Sequence, residues 1–152
     1  ANIYIRNDGT PLLIDFGAAR QTLIEGGFSL SPMYTPGFAP PEQYGSRELL
    51  GPWSDIYAVG ASMFACLAGA APQAANLRKE KDRYVSATYQ WQDRYSRQLL
   101  ETVDWCLEMD HLKRPQSVLA LQKVLQREKE PDVHHRSLFA SMRHSIYKFA
   151  GR

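Results

Sequence analysis

The chain is organised around the run Leu12-Leu13-Ile14-Asp15-Phe16-Gly17. Three apolar residues run into one carboxylate, one large aromatic and one glycine. The apolar run predicts a short buried strand, and Gly17 with Ala18 and Ala19 predicts its exit. A carboxylate at the end of a buried strand is costly unless something pairs with it. A hard dication is one such partner, because it prefers carboxylate oxygen.

Upstream, Ile3-Tyr4-Ile5 favours strand, and Asn7-Asp8-Gly9-Thr10-Pro11 is a turn signal in which Asp-Gly supplies positive φ values. The first fifteen residues therefore predict a β-hairpin whose outer ends hold Asn2 and Asp15. A hairpin sets its ends side by side, so the two residues offer oxygen atoms to one point. Downstream, from Arg20 to Tyr44, no periodicity holds and glycines and prolines recur. A loop of this length in a compact domain is usually functional or disordered. Phe28, Tyr34 and Phe38 predict that its second half packs on the body, and Glu42-Gln43-Tyr44 begins a short helix.

The length of 152 residues suits about one domain, and an apolar share of 44% is enough to build a core. A net charge of +2 is too small to argue for nucleic acid, and no nucleic-acid partner is expected. Two cysteines, Cys66 and Cys106, form neither a disulfide framework nor a metal-ligand pair, so a reducing compartment is expected. Ile56 to Pro72 lacks charged residues but falls short of the roughly 18–20 residues of a membrane span. It predicts a helix buried in a protein core, opening at Trp53-Ser54-Asp55 with Ser54 or Asp55 as cap and closed by Gly69 and Pro72.

The charged run Leu77 to Arg83 predicts a surface helix with a solvated face. Leu99, Leu100, Val103, Cys106 and Leu107 fall at helical spacing between Ser96 and Met109. Ser117 caps a last amphipathic helix through Val118, Leu121, Val124 and Leu125. Residues 128–152 form a polar linker and a basic tail. His134-His135 in it reads as an incidental pair ahead of a metal-binding one, and Leu138 to Phe149 is weakly amphipathic with Arg136, Arg143 and Lys148, a candidate membrane-surface or partner segment or the start of a following region.

Set in one line, Asn2, Asp15-Phe16-Gly17, Pro40-Pro41-Glu42, Asp55-Ile56-Tyr57-Ala58-Val59-Gly60 and Arg114-Pro115 form an ordered set. At these spacings the chain resembles the C-terminal lobe of a protein kinase catalytic domain, of the bacterial Ser/Thr kinases of eukaryotic type. The resemblance covers residues 1–127 and implies a mainly α fold with a small β-hairpin, of the α+β class. It implies that Asn2 and Asp15 hold Mg²⁺ on the phosphates of ATP, with Phe16 and Gly17 completing that cofactor site. It implies that Ser29 and Ser31 lie where activation-loop phosphorylation occurs, with Arg20 placed to receive a phosphate. Thr35 matches the threonine that contacts the catalytic aspartate and lysine in Ser/Thr kinases. Glu42 matches the glutamate of A-P-E, with Pro40 in place of alanine, and its partner is Arg114. Asp55 resembles the buried helix-start aspartate that anchors the catalytic loop.

The same resemblance puts the catalytic aspartate four residues, and its lysine two residues, before Ala1. The glycine-rich loop belongs to an N-terminal lobe that the chain lacks. The expectation is thus a Ser/Thr protein kinase whose present fragment is inactive, with protein substrates and its own N-terminal lobe as partners and a cytoplasmic location. The alternative is a truncated or pseudokinase-derived binding or scaffold module, and its uncovered surface favours self-association. A membrane-linked sensor kinase is a third reading that rests on the basic tail.

Overall fold

The structure is a computed structural model, and it describes residues 3–14, 34–45 and 47–126. Strand β1 (Ile3–Ile5) pairs antiparallel with β2 (Pro11–Leu13) in the register Ile3 with Leu13 and Ile5 with Pro11. The Arg6 carbonyl accepts from the Gly9 N–H, and the Arg6 N–H donates to the Thr10 carbonyl, both at 2.9 Å. Gly9 alone takes the positive φ, +83°, so the turn is a three-residue loop closed by a glycine rather than a two-residue turn with both central φ values positive. Asp8 fastens it by accepting from the Thr10 N–H at 2.9 Å and the Thr10 hydroxyl at 2.6 Å.

The expected burial of β2 is not what forms. Ile3, Tyr4, Ile5, Leu12, Leu13 and Ile14 all stand exposed. A two-stranded ribbon buries nothing by itself, and the two core clusters among the described residues are built on the helices.

Five α-helices follow among the described residues: α1 (Pro52–Ala68), α2 (Ala75–Glu80), α3 (Ala87–Trp91), α4 (Arg97–Cys106) and α5 (Val118–Gln126). Helix α1 starts one residue before the expected Trp53, because Pro52 suits a first helical position that has no N–H to satisfy. Its cap is Gly51, and Ser54 turns its hydroxyl back to accept from the Gly51 N–H at 3.3 Å. Gly69, at φ +72°, closes the helix by donating to the Ala65 carbonyl at 2.9 Å. No helix among the described residues is long and apolar enough to cross a membrane.

Helix α1 is the axis of the body. Tyr57, Ala61 and Phe64 pack with Leu100, Val103 and Leu107, while Ile56 packs with Cys106 and Leu121. The α1–α4 crossing is close because Gly60 has no side chain: a Cβ there would sit 2.4 Å from the Cys106 Cβ. Burial pushes the Cys106 thiol up to about 12, so it stays neutral in this crossing. Ser96 and Ser117 cap α4 and α5 by accepting from the N–H groups of Leu99 and Ala120.

The charged run corrects one expectation. Arg78 is not on a solvated face but buried, donating to the Leu107 carbonyl at 2.8 Å and to both oxygens of Asp82 at 3.0 Å. Its guanidinium lies 4.4 Å from the Tyr84 ring centre, and the Tyr84 hydroxyl donates to Asp104 at 2.6 Å. Asp104 also accepts from the Ala87 N–H, the Thr88 N–H and the Thr88 hydroxyl, so one carboxylate on α4 holds the start of α3. Short helices need such anchors, since five or six residues do not hold a helix by propensity.

Gly60→Ala tests the crossing. Alanine improves helix propensity by about 1 kcal/mol, yet the new Cβ has no room beside Cys106. The expected outcome in urea unfolding is a net loss of about 1–3 kcal/mol.

Candidate functional site

Two features carry the expected site residues: the open end of the hairpin and the segment 34–45. The β1–β2 register sets the start of β1 beside the end of β2. Asn2 immediately precedes that start, and Asp15 follows Ile14, which stands exposed just past β2. Asn2, Asp15, Phe16, Gly17, Arg20, Ser29 and Ser31 lie outside the described residues. Among the described residues no group of three or more His, Cys, Asp or Glu side chains is placed to hold a metal ion.

Segment 34–45 is described and firmly seated. Thr35 is exposed, and its carbonyl accepts from the N–H groups of Phe38 at 3.1 Å and Ala39 at 3.2 Å. Gly37 takes φ +89° and lies against the Pro72 carbonyl, where a Cβ would approach to 2.8 Å. Only glycine accepts both the conformation and the contact. Phe38 packs on the main core, and the Tyr34 and Tyr44 rings meet at 4.5 Å. A 3-10 turn, Pro41–Tyr44, then delivers Glu42 into the interior.

There Glu42 meets Arg114 in a buried, two-pronged ion pair, with side-chain exposures of 3% and 0%. The Arg114 Nη1 donates to Glu42 Oε1 at 2.8 Å and Nη2 to Oε2 at 3.0 Å. The Ser54 hydroxyl donates to the same Oε1 at 2.7 Å. Arg114 spends its other donors on the carbonyls of Glu108 at 2.7 Å, Trp53 at 3.2 Å and Met109 at 3.3 Å. Below it, the Tyr57 ring centre lies 4.8 Å from the guanidinium carbon. Burial pushes the Glu42 carboxyl up, but the hydrogen bonds from Arg114 and Ser54 together outweigh it and hold the pKa below the ordinary value. Burial raises the Tyr57 phenol.

The structure therefore brings Glu42 and Arg114 together and leaves Thr35 exposed at the entrance of the same segment. Asp55 is exposed rather than buried, and the buried polar residue of that helical turn is Ser54, while the loop that the resemblance has Asp55 anchor lies outside the described residues. Each helical residue advances the side chain by roughly 100°, so a turn that aims Ser54 at Glu42 aims Asp55 away. Sequence reasoning missed Ser54 as the third member of the pair, and also missed Arg78 and Asp104. Ser54 read as a cap, Arg78 was hidden in a charge run, and Asp104 sits on the polar side of an amphipathic helix. No local pattern separates any of them from a solvated residue.

Chemically, the clamp does no reaction. It is a closed charge system that ties the turn Pro41–Tyr44 to the start of α1 and to the turn after α4. Removing one partner leaves the other buried and unpaired, so Glu42→Ala is expected to lower unfolding free energy by about 3–5 kcal/mol in urea titration. The pH dependence has a definite sign. The folded pKa of Glu42 is depressed, so the pair's contribution is complete above the ordinary value of 4.5 and is lost as pH falls through the lower folded value. Melting curves from pH 7 to pH 3 should show the unaltered chain losing more stability than Glu42→Gln across that window.

Comparison with known proteins completes the description. The protein kinase domain family matches residues 1–127. The chain is 38% identical to the serine/threonine-protein kinase PknA of Nostoc sp., over 47% of this chain and 14% of that protein. It is 29% identical to a putative ribosomal protein S6 kinase alpha-1 of Caenorhabditis elegans, over 87% of this chain and 18% of that protein. Among solved structures it is similar to the apo form of PpkA-294, with a TM-score of 0.68 and 33% identity, covering 82% of this chain and 43% of that one. The chain thus spans less than half the length of each of these relatives.

Proposed function

We propose, from the premise that the chain belongs to the protein kinase domain family, that it is the C-terminal lobe of a Ser/Thr kinase that transfers the γ-phosphate of ATP to protein substrates. The observation that carries this reading is the seated segment 34–45. Glu42 is locked to Arg114 across the fold while Thr35 stands exposed at the segment's entrance. A surface held this way suits the task of placing a substrate hydroxyl. Phosphoryl transfer depends on positioning and charge stabilisation more than on covalent chemistry by the protein.

In this reading Asn2 and Asp15 supply the amide and carboxylate oxygens that a small hard dication such as Mg²⁺ takes, and the paired strand ends next to them support a shared site. Bound Mg²⁺ and ATP would supply the reactive phosphoryl group. Phe16 and Gly17 shape the nucleotide side, Thr35 meets the catalytic aspartate, and Ser29 and Ser31 are the phosphorylation sites. Residues 1–152 contain no H-R-D aspartate and no glycine-rich loop, so this stretch by itself does not transfer phosphate.

The exposed apolar hairpin supports a partner for that surface. Ile3, Tyr4, Ile5, Leu12, Leu13 and Ile14 offer both faces of a ribbon to a neighbour. The reading assigns that neighbour to the N-terminal lobe of the same kinase, working in the cytoplasm. The scaffold reading takes the same patch as its binding surface, with self-association of the isolated chain.

Asp15→Asn in the complete protein separates the two. In the kinase reading, transfer to a generic Ser/Thr substrate in Mg²⁺-ATP falls at least about 100-fold with the fold unchanged by circular dichroism, in the range that loss of a charge-stabilising group gives. Undiminished transfer refutes the assigned metal role. A complete protein that transfers no phosphate before any substitution supports the scaffold reading.

A further inference from the structure

An open groove of about 630 Å³ runs between α3 and α4. Thr88 and Gln92 line one side, and Leu100, Glu101, Trp105 and Glu108 line the other. The exposed apolar lining is Trp105, half-buried, whose indole is held in place by donating to the Lys113 carbonyl at 2.8 Å. The rim is acidic. Glu101 and Glu108 are both exposed, and Glu101 shares an exposed pair with Arg97 at 2.6 Å. Asp104, which also lines the groove, already accepts from Tyr84, Ala87 and Thr88. It adds negative field rather than an open ligand position. An indole beside the exposed Glu108, on a rim with three carboxylates to one arginine (Arg97, paired to Glu101), suits cationic side chains carried on an apolar segment.

The chain leaves the helices beside this groove. The Gln98 side-chain amide donates to the Val124 carbonyl, which sets the end of α5 against the first turn of α4. Arg97, next to Gln98, lines the groove. The chain passes Gln126 at that place and continues through residues 127–152. From Arg136 onward it carries Arg136, Arg143, Lys148 and Arg152 and no Asp or Glu. Between these stand Leu138, Phe139, Met142 and Ile146. The roughly ten residues from Gln126 to Arg136 reach about 33 Å when extended, more than the length of α4, about 15 Å.

The geometry points to this groove as the docking site of the chain's own segment Arg136 to Phe149. Its cations meet Glu101 and Glu108, and its apolar residues cover Trp105. The inference is independent of the kinase reading: it needs neither nucleotide nor transfer activity.

The test is a charge swap in the full chain, read by chymotryptic cleavage after Phe139 and Tyr147 under native conditions. Reversing the rim (E101K with E108K) or the segment (R136E with R143E) is expected to speed cleavage at least about fivefold, a loss of the size expected for removing charge-assisted contacts. Combining the two pairs is expected to restore slow cleavage. Equal rates in all four proteins overturn the inference, as does failure of the combined variant to restore protection. Protection that disappears on dilution overturns it in favour of a second copy's tail. Binding of an added oligoarginine peptide with no change in tail cleavage overturns it in favour of a separate partner chain.

Discussion

The ion pair between Glu42 and Arg114 is the constraint that the rest of the structure accommodates. Two opposite charges are removed from water almost completely, and such a pair persists only where the geometry is good and the remaining donors are satisfied. Both conditions are met. The guanidinium faces two carboxylate oxygens and three main-chain carbonyls, and the carboxylate receives a third donor from Ser54. Those partners come from the 3-10 turn Pro41–Tyr44, the start of α1 and the turn after α4. Three pieces of chain far apart in sequence are thereby brought to one point. The segment from Thr35 to Tyr44 inherits its position from that junction.

A second polar junction does comparable work for the short helices. Arg78, Asp82, Tyr84 and Asp104 form a continuous set of contacts that ends on the first N–H groups of α3. Burial, with Asp104 beside it, raises the Tyr84 phenol, which therefore remains a donor across ordinary pH. Helices of five and six residues are too short to hold themselves, and here polar groups with complete partners supply what length does not. The apolar core around α1 and the two polar junctions are complementary: the core gives affinity between helices, and the junctions give register.

The hairpin stands apart from that economy. Its apolar residues face outward on a ribbon with no described layer behind it. That arrangement makes sense for an element completed by something else, and membership in the protein kinase domain family gives the kind of neighbour to look for.

Much was legible in the residues alone. The cap at Ser117, the stop at Gly69, the apolar helix and the hairpin turn all follow from local chemistry that a neighbour two to four residues away can satisfy. The Glu42–Arg114 pairing was also legible, but through a family resemblance, since nothing local connects positions so far apart. Burial was not legible. Leu12, Leu13 and Ile14 read as a buried strand and are exposed, whereas Arg78 reads as solvated and is buried. Asp55, expected buried, is exposed, and Ser54, read as a candidate cap, is buried, because the rotation of α1, set by core packing, decides which of two adjacent polar residues turns inward. The hairpin, the three longer helices and the family resemblance follow from sequence, because capping, turns and periodicity are short-range effects, whereas α3 and the Gly51 start of α1 do not. Only the tertiary structure decided which polar groups are buried and paired, because desolvation depends on what other parts of the chain bring to the same point.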